Sequence, residues 1–314
     1  MRITNYELRT ASVKLSFRLF AVLCAFFVAA GNSFAQNDAL FQKQINFSEQ
    51  ANHLSQLIAD GTTEQKRDAL LQIRNLETAE ASRIAVPALR DKSEIVRATA
   101  AASVVFLPKD EAAQNVTPLL ADKKPFVRRE AAFALGKIRN PNTINSLLQV
   151  SQKDKVTEVR NAAIVALGAI GDAAAVGELI KILQRKPQTK EEFTRRSAGR
   201  AVGQIAQIIQ TGRVKVRTPE NFLPERYKII EKPNYPKLAE AFPSFRQAVS
   251  VLIQTLRNPR EFPDVKREAA FALGAIGDAA AIPVLQANLD NEDYYLAEIC
   301  RESLKKMAVE TPSS

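Results

Sequence analysis

The sequence predicts an all-α solenoid, a stack of short helical pairs rather than one domain built around a single centre. Residues 127–138 read VRREAAFALGKI, residues 265–276 read VKREAAFALGAI, and residues 159–170 read VRNAAIVALGAI. Lining up the copies places Lys66, Arg97, Arg128, Arg160, Arg195, Lys266 and Ala297 in one column, with steps of 31, 31, 32, 35, 71 and 31 residues. The repeated stretch carries no strand pattern. Self-similarity at this period marks units that bury their apolar faces only by stacking on their neighbours.

The first 35 residues form a different kind of segment. Arg2, Arg9, Lys14 and Arg18 precede the apolar run Leu19–Ala30, and Ser33-Phe34-Ala35 then offers small residues where a signal peptidase reads. Twelve apolar residues are too few to cross a bilayer, which takes roughly 20. Ala21-Val22-Leu23 ahead of Cys24 lacks the small residue that a lipidated cysteine requires. Residues 1–35 are therefore expected to be a cleaved signal peptide, with the mature protein periplasmic or secreted. Cleavage lowers the net charge from +10 to +7, because four basic residues and Glu7 leave together. Cys24 leaves as well, so Cys300 stands alone and an intramolecular disulfide is excluded.

Residues 36–61 are expected to form an N-terminal helical cap, with an amphipathic stretch from Asp38 to Ile58. Repeats should fill residues 62–290. In the 127 copy, Val127, Ala131, Ala134, Leu135 and Ile138 fall on one helical stripe. Gly136, Gly168, Gly203 and Gly274 share a column late in the first helix. Glycine there costs about 1 kcal/mol against alanine, so its recurrence implies that a neighbouring backbone needs the space. Gly171-Asp172 and Gly277-Asp278 read as a left-handed helix end followed by a capping carboxylate, a turn supplied by Asn140-Pro141 in the 127 copy. Second helices are expected at 113–121, 143–151, 174–184, 245–257 and 280–289, with Pro87, Pro118 and Pro283 in first turns. A capping helix should cover residues 291–308, and 309–314 should be a disordered tail.

This pattern resembles the HEAT-repeat family, in particular the short bacterial type called phycobilisome-lyase-like. The match is fullest at 159–172 and 265–278, degraded at 96–106 and 194–205, and only suggestive at 65–76. The resemblance covers about residues 62–308. It implies a right-handed α-α superhelix with second helices on the concave face. It also implies that the column of Arg97, Arg128, Arg160, Arg195 and Lys266 bonds carbonyls or carboxylates across the stack, with Asp172 and Asp278 as caps.

Catalytic chemistry finds little footing. His53 is the single histidine, and it lies in the N-terminal amphipathic stretch. A serine triad would have to run through it, and no nucleophile turn accompanies it. One cysteine cannot build a zinc site. Deoxyhypusine hydroxylase has similar repeats but holds two irons with His-Glu pairs, a pairing this sequence lacks. Bilin lyases share the repeat type yet act inside the cell. HEAT-like DNA glycosylases stack aromatic side chains on nucleic acid, and tryptophan is absent here. Neither catalysis, a cofactor, a metal nor nucleic-acid binding is expected.

The step of 71 exceeds one repeat by about 40 residues and locates an insertion near 211–244. It contains five of the 15 prolines, and seven basic residues face four acidic ones. Arg213, Lys215 and Arg217 alternate with β-branched residues, and Phe222, Tyr227 and Tyr235 follow. Tyrosine with arginine is the composition of binding hot spots, and long loops in compact folds are usually functional. Those six residues are the expected partner contacts. The functional expectation is an exported, non-catalytic scaffold for a protein partner, with no membrane span after signal cleavage. Its alternatives are a binder of an anionic envelope polymer and, behind it, an enzyme related to the lyase-like proteins.

Overall fold

The computed structural model describes residues 48–212 and 237–307. The chain divides into two compact units, Met1–Gln56 and Leu57–Ser314. In the first, the described residues 48–56 are helical and belong to a helix, α1, that covers residues 48–60. His53 sits on its exposed side. The signal peptide expected at 1–35, the start of the expected cap, the insertion residues Arg213, Lys215, Arg217, Phe222, Tyr227 and Tyr235, and the tail expected at 309–314 lie outside the described residues.

The second unit is an α-solenoid. Its first helices are α2 (Thr63–Leu76), α4 (Glu94–Ser103), α6 (Pro125–Ile138), α8 (Thr157–Ile170), α10 (Glu192–Thr211) and α13 (Pro263–Ile276). Each packs on the next, and α15 (Tyr294–Lys306) closes the row on α13. The returning helices are α3 (Ala79–Ala85), α5 (Lys109–Val116), α7 (Ile144–Lys153), α9 (Val176–Leu183), α12 (Pro243–Arg257) and α14 (Ile282–Gln286), with a single turn, α11 (Leu238–Ala241), before α12. Because α12 packs against α9 on one side and α14 on the other, the chain resumes its period after the insertion. No strand occurs among the described residues.

Local sequence explains where the helices begin and end. Thr62 and Gln65 form a reciprocal cap at the start of α2, each side chain bonding the other's backbone N–H. Helix α8 stops at Gly171, whose φ of +84° favours a residue without a Cβ. A Cβ at that position would also lie 2.4 Å from Ile208 Cγ2. In the 127 copy the same left-handed position falls to Arg139, with φ of +55°. Asp172 and Asp278 accept the backbone N–H of Ala174 and Ala280 at 2.8 Å, capping short 3-10 turns that lead into the second helices.

Two prolines act differently from the expectation. Pro87 and Pro118 do not open second helices; they lie in 3-10 segments, Val86–Arg90 and Thr117–Ala121, that follow α3 and α5. Proline donates no N–H, so the α-helical ladder stops there and the chain tightens instead. Pro283 does sit in the first turn of α14.

Packing between first helices is close because small residues face one another. Val127, Ala131 and Leu135 are fully buried, as are Val159, Ala163 and Ile164 in the next copy. A Cβ on Gly136 would lie 2.9 Å from Ala166 Cα, and one on Gly168 2.9 Å from Ala201 Cα. Gly203 and Gly274 stand in the same relation to Ala272 and Ser303, at 3.1 and 2.9 Å. Each glycine therefore admits the backbone of the next first helix. Where serine replaces alanine on the facing side, its hydroxyl bonds back across the joint: Ser103 Oγ donates to Leu70 O at 2.8 Å and Ser303 Oγ to Ala270 O at 3.2 Å.

Candidate functional site

The arginine column is a ladder of inter-repeat bonds. Arg97 donates from Nε and Nη2 to both carboxylate oxygens of Asp122, at 2.7 and 3.0 Å. Arg128 repeats this on Asp154 at 2.6 and 2.9 Å, and Lys66 reaches Asp91 at 2.9 Å. Forked pairing of this kind fixes geometry as well as adding attraction. The third guanidinium nitrogen, Nη1, donates to the carbonyl six residues earlier: Asp91 for Arg97, Asp122 for Arg128 and Asp154 for Arg160. Each aspartate also accepts a backbone N–H two residues on, from Ser93, Lys124 and Val156. One carboxylate thus orients the linker before a first helix and ties it to the previous unit.

Burial works to raise the carboxyl groups of Asp91, Asp122 and Asp154. Hydrogen bonds from Lys66, Arg97 and Arg128, then from the backbone, outweigh it and hold all three below the usual carboxylate range. They are ionised anchors, not acid–base groups for neutral pH.

The column is not uniform. After α9 the linker reads Gln184-Arg185-Lys186-Pro187-Gln188 and offers no carboxylate. Arg160 turns its free arm to Thr157 Oγ1 at 2.9 Å instead. Arg195 is paired through both arms with Glu261, and the two side chains are 1% and 0% exposed. These partners are 66 residues apart, against 26 for Arg128 and Asp154. The difference of 40 is the inserted length, so the same contact closes over the insertion. In the sixth unit the expected Lys266 does not take this role. Arg267, one residue on, forks onto Asp293 at 2.8 and 3.0 Å and also reaches Asp264. A lysine offers one compact ammonium, whereas the two-oxygen grip needs a guanidinium.

The carboxylate partners escaped the sequence reading, although a signal was present. Asp91, Asp122 and Asp154 each stand six residues before a column arginine. Exposed apolar residues escaped it too. Ile95, Phe126, Phe193 and Tyr295 occupy one position, in the first turns of α4, α6, α10 and α15, and are 44, 41, 51 and 55% exposed. Guanidinium groups cover all three rings at this position: Arg129 over Phe126 at 5.1 Å, Arg196 over Phe193 at 4.8 Å and Arg267 over Tyr295 at 5.3 Å.

Cys300 is fully buried in α15, and burial pushes its thiol up to about 12. Such a thiol packs as a small apolar group and is a poor nucleophile. Among the described residues no three His, Cys, Asp or Glu side chains gather as metal ligands, and no helix is long and apolar enough to cross a membrane.

A sequence profile of HEAT repeats matches residues 116–203 and 237–305, on either side of the inserted segment. The chain is a HEAT-repeat protein. Among curated proteins, deoxyhypusine hydroxylase of Bos taurus is 36% identical over 62 residues, about a fifth of each chain. Of solved structures, an engineered protein aligns over 83% of the HEAT-repeat chain and 69% of its own, at 20% identity and a TM-score of 0.50. That is a likeness of fold. The CpcE–CpcF complex of phycocyanin lyase from Nostoc sp. PCC7120 aligns over 83% and 89%, at 18% identity and a TM-score of 0.43.

Proposed function

We propose that this HEAT-repeat protein is an exported, non-catalytic scaffold that binds a protein partner. The observation that carries the reading is the fate of its charged side chains. The arginines of the column and the aspartates and glutamate that face them hold repeats together, while aromatic residues stand exposed beside them. A column that spends its buried charges on structural pairs, beside exposed aromatic anchors, suits recognition rather than group transfer. Export rests on the order of charged, apolar and small residues in the leader.

The hydroxylase similarity spans too little of either chain to bring that activity across. With one histidine, the chain cannot supply the His-Glu pairs of a two-iron centre.

Arg213, Lys215, Arg217, Phe222, Tyr227 and Tyr235 are proposed as partner contacts on their composition. The test replaces residues 213–236 with a short Gly-Ser linker and captures crosslinked partners from the periplasmic fraction. Helical signal should stay near wild type, because Arg195 and Glu261 close the joint over the insertion. Partner capture should be lost. Capture of the same proteins at wild-type strength would remove the insertion from the binding surface, and the absence of any specific partner for the full protein would overturn the scaffold reading.

A further inference from the structure

We propose that the edge formed by the linkers between repeats binds an extended acidic polypeptide segment; this deepens the scaffold reading and rests on it. In sequence the basic residues alternate with acids and form no run. The fold sorts them. Three of the linkers from a second helix to the next first helix carry an aspartate that the ladder consumes, next to a lysine that forms no ion pair. Asp91 is followed by Lys92, Asp122 by Lys123, and Asp154 by Lys155. The linker after α9 supplies Lys186, the last residue of α12 is Arg257, and the linker after it supplies Arg260. All six are exposed, and none has a carboxylate partner among the described residues. The carboxylates nearest in sequence are engaged elsewhere: Asp122 by Arg97, Asp154 by Arg128, and Glu261 by Arg195. A row of basic groups without ion-pair partners is left along one edge, where Glu94 is held by Lys124 and Glu158 is the nearby exposed acid. At the opposite edge, Glu77, Asp172 and Asp278 mix with Lys109 and Arg139, so no such row forms there.

The apolar side chains decide what kind of anion fits. Ile95, Phe126 and Phe193 emerge a few residues after the basic linkers, on the same edge. Successive first helices stand about 8–10 Å apart, and an extended chain advances about 3.3–3.6 Å per residue. Every third residue of an extended peptide therefore meets a new repeat, and acidic residues between its apolar ones meet the lysines. Nucleic acid fits less well. Arg129 and Arg196 already cover ring faces of Phe126 and Phe193 on which bases would stack. A polysaccharide would use the charges but not the apolar groups.

The test measures fluorescence anisotropy of a labelled random Glu–Tyr copolymer with the full protein, beside poly-glutamate and heparin. The copolymer should bind saturably at low salt and weaken as salt rises. It should bind at least about threefold more tightly than poly-glutamate, since only the copolymer brings apolar side chains. Lys92→Glu/Lys123→Glu/Lys186→Glu should lose about tenfold or more of that affinity, while Lys109→Glu/Lys137→Glu on the opposite edge changes it by less than about twofold. Phe126→Ser/Phe193→Ser should erase the preference for the copolymer over poly-glutamate. All the substituted residues are exposed, and circular dichroism would verify that each variant folds. Absence of saturable copolymer binding, equal losses at both edges, or heparin binding with no copolymer preference would each overturn the proposal. If the triple variant still captures the partner found with the full protein, this edge is excluded while the scaffold reading stands.

Discussion

Arg195 and Glu261 carry opposite charges on side chains that are 1% and 0% exposed. Removing one partner from such a pair leaves a buried charge without compensation, a change that costs about 3–5 kcal/mol. Glu261→Ala should therefore lower the unfolding free energy by about that amount in a urea titration followed by circular dichroism. Glu111→Ala, which removes a partner from the half-exposed pair with Arg83, should leave the curve nearly in place. Equal shifts would show that Arg195 finds water once its carboxylate is gone. At this scale the sequence was half legible. Arginines that recur in one column announce a shared task, and the resemblance supplied its nature. Their partners were obscured because Asp91, Asp122 and Asp154 change to Glu261 after the insertion and to nothing after α9. Arg267 was hidden by Lys266, which keeps the column's charge but not its fork.

Helix-to-helix contact is decided by the absence of a few methyl groups. Gly136→Ala should gain about 1 kcal/mol of helix propensity but forces a Cβ to 2.9 Å from Ala166 Cα. Overpacking costs about 1–3 kcal/mol, so the net change should be destabilising. Gly177, within α9, has nothing within 4 Å of a built Cβ. Gly177→Ala should stabilise by roughly 0.5–1 kcal/mol. Thermal melts of the two variants should move in opposite directions, and movement in the same direction would mean that the glycine column does not set helix spacing. The close approach was readable from recurrence alone, since a costly residue repeated at one position needs a reason. Pro87 and Pro118 were misread because proline suits the first turn of a helix and the start of a 3-10 turn equally well. Only the packing of α3 and α5 separates the two.

Across the whole array, the depressed aspartates make stability depend on acid. Each of Asp91, Asp122 and Asp154 falls below its ordinary value of 3.8 in the folded chain. Their contribution is complete above that value and disappears as the pH drops through the lower folded one. The urea midpoint should hold between about pH 7 and 5 and fall below about pH 4. Asp122→Asn should be less stable at pH 7, and its gap to wild type should shrink at pH 3. A gap that stays constant would mean that the ladder does not titrate with folding. Repetition made the array legible at this scale, because identical stripes can be buried only against each other. The exposed edge was not, since which lysines stay unpaired depends on bonds between residues about 25 positions apart.

The bond that closes over the insertion also bears on how such a chain can change through descent. Arg195 and Glu261 set the joint between α10 and α13 whatever lies between Thr211 and Leu238. Lengthening, shortening or exchanging that stretch leaves this bond both its donor and its acceptor. Lineages can therefore revise the inserted segment at little risk to folding, whereas a residue gained or lost inside α10 would shift every later contact. Related arrays should vary most in that interval and keep an acidic residue just ahead of α13.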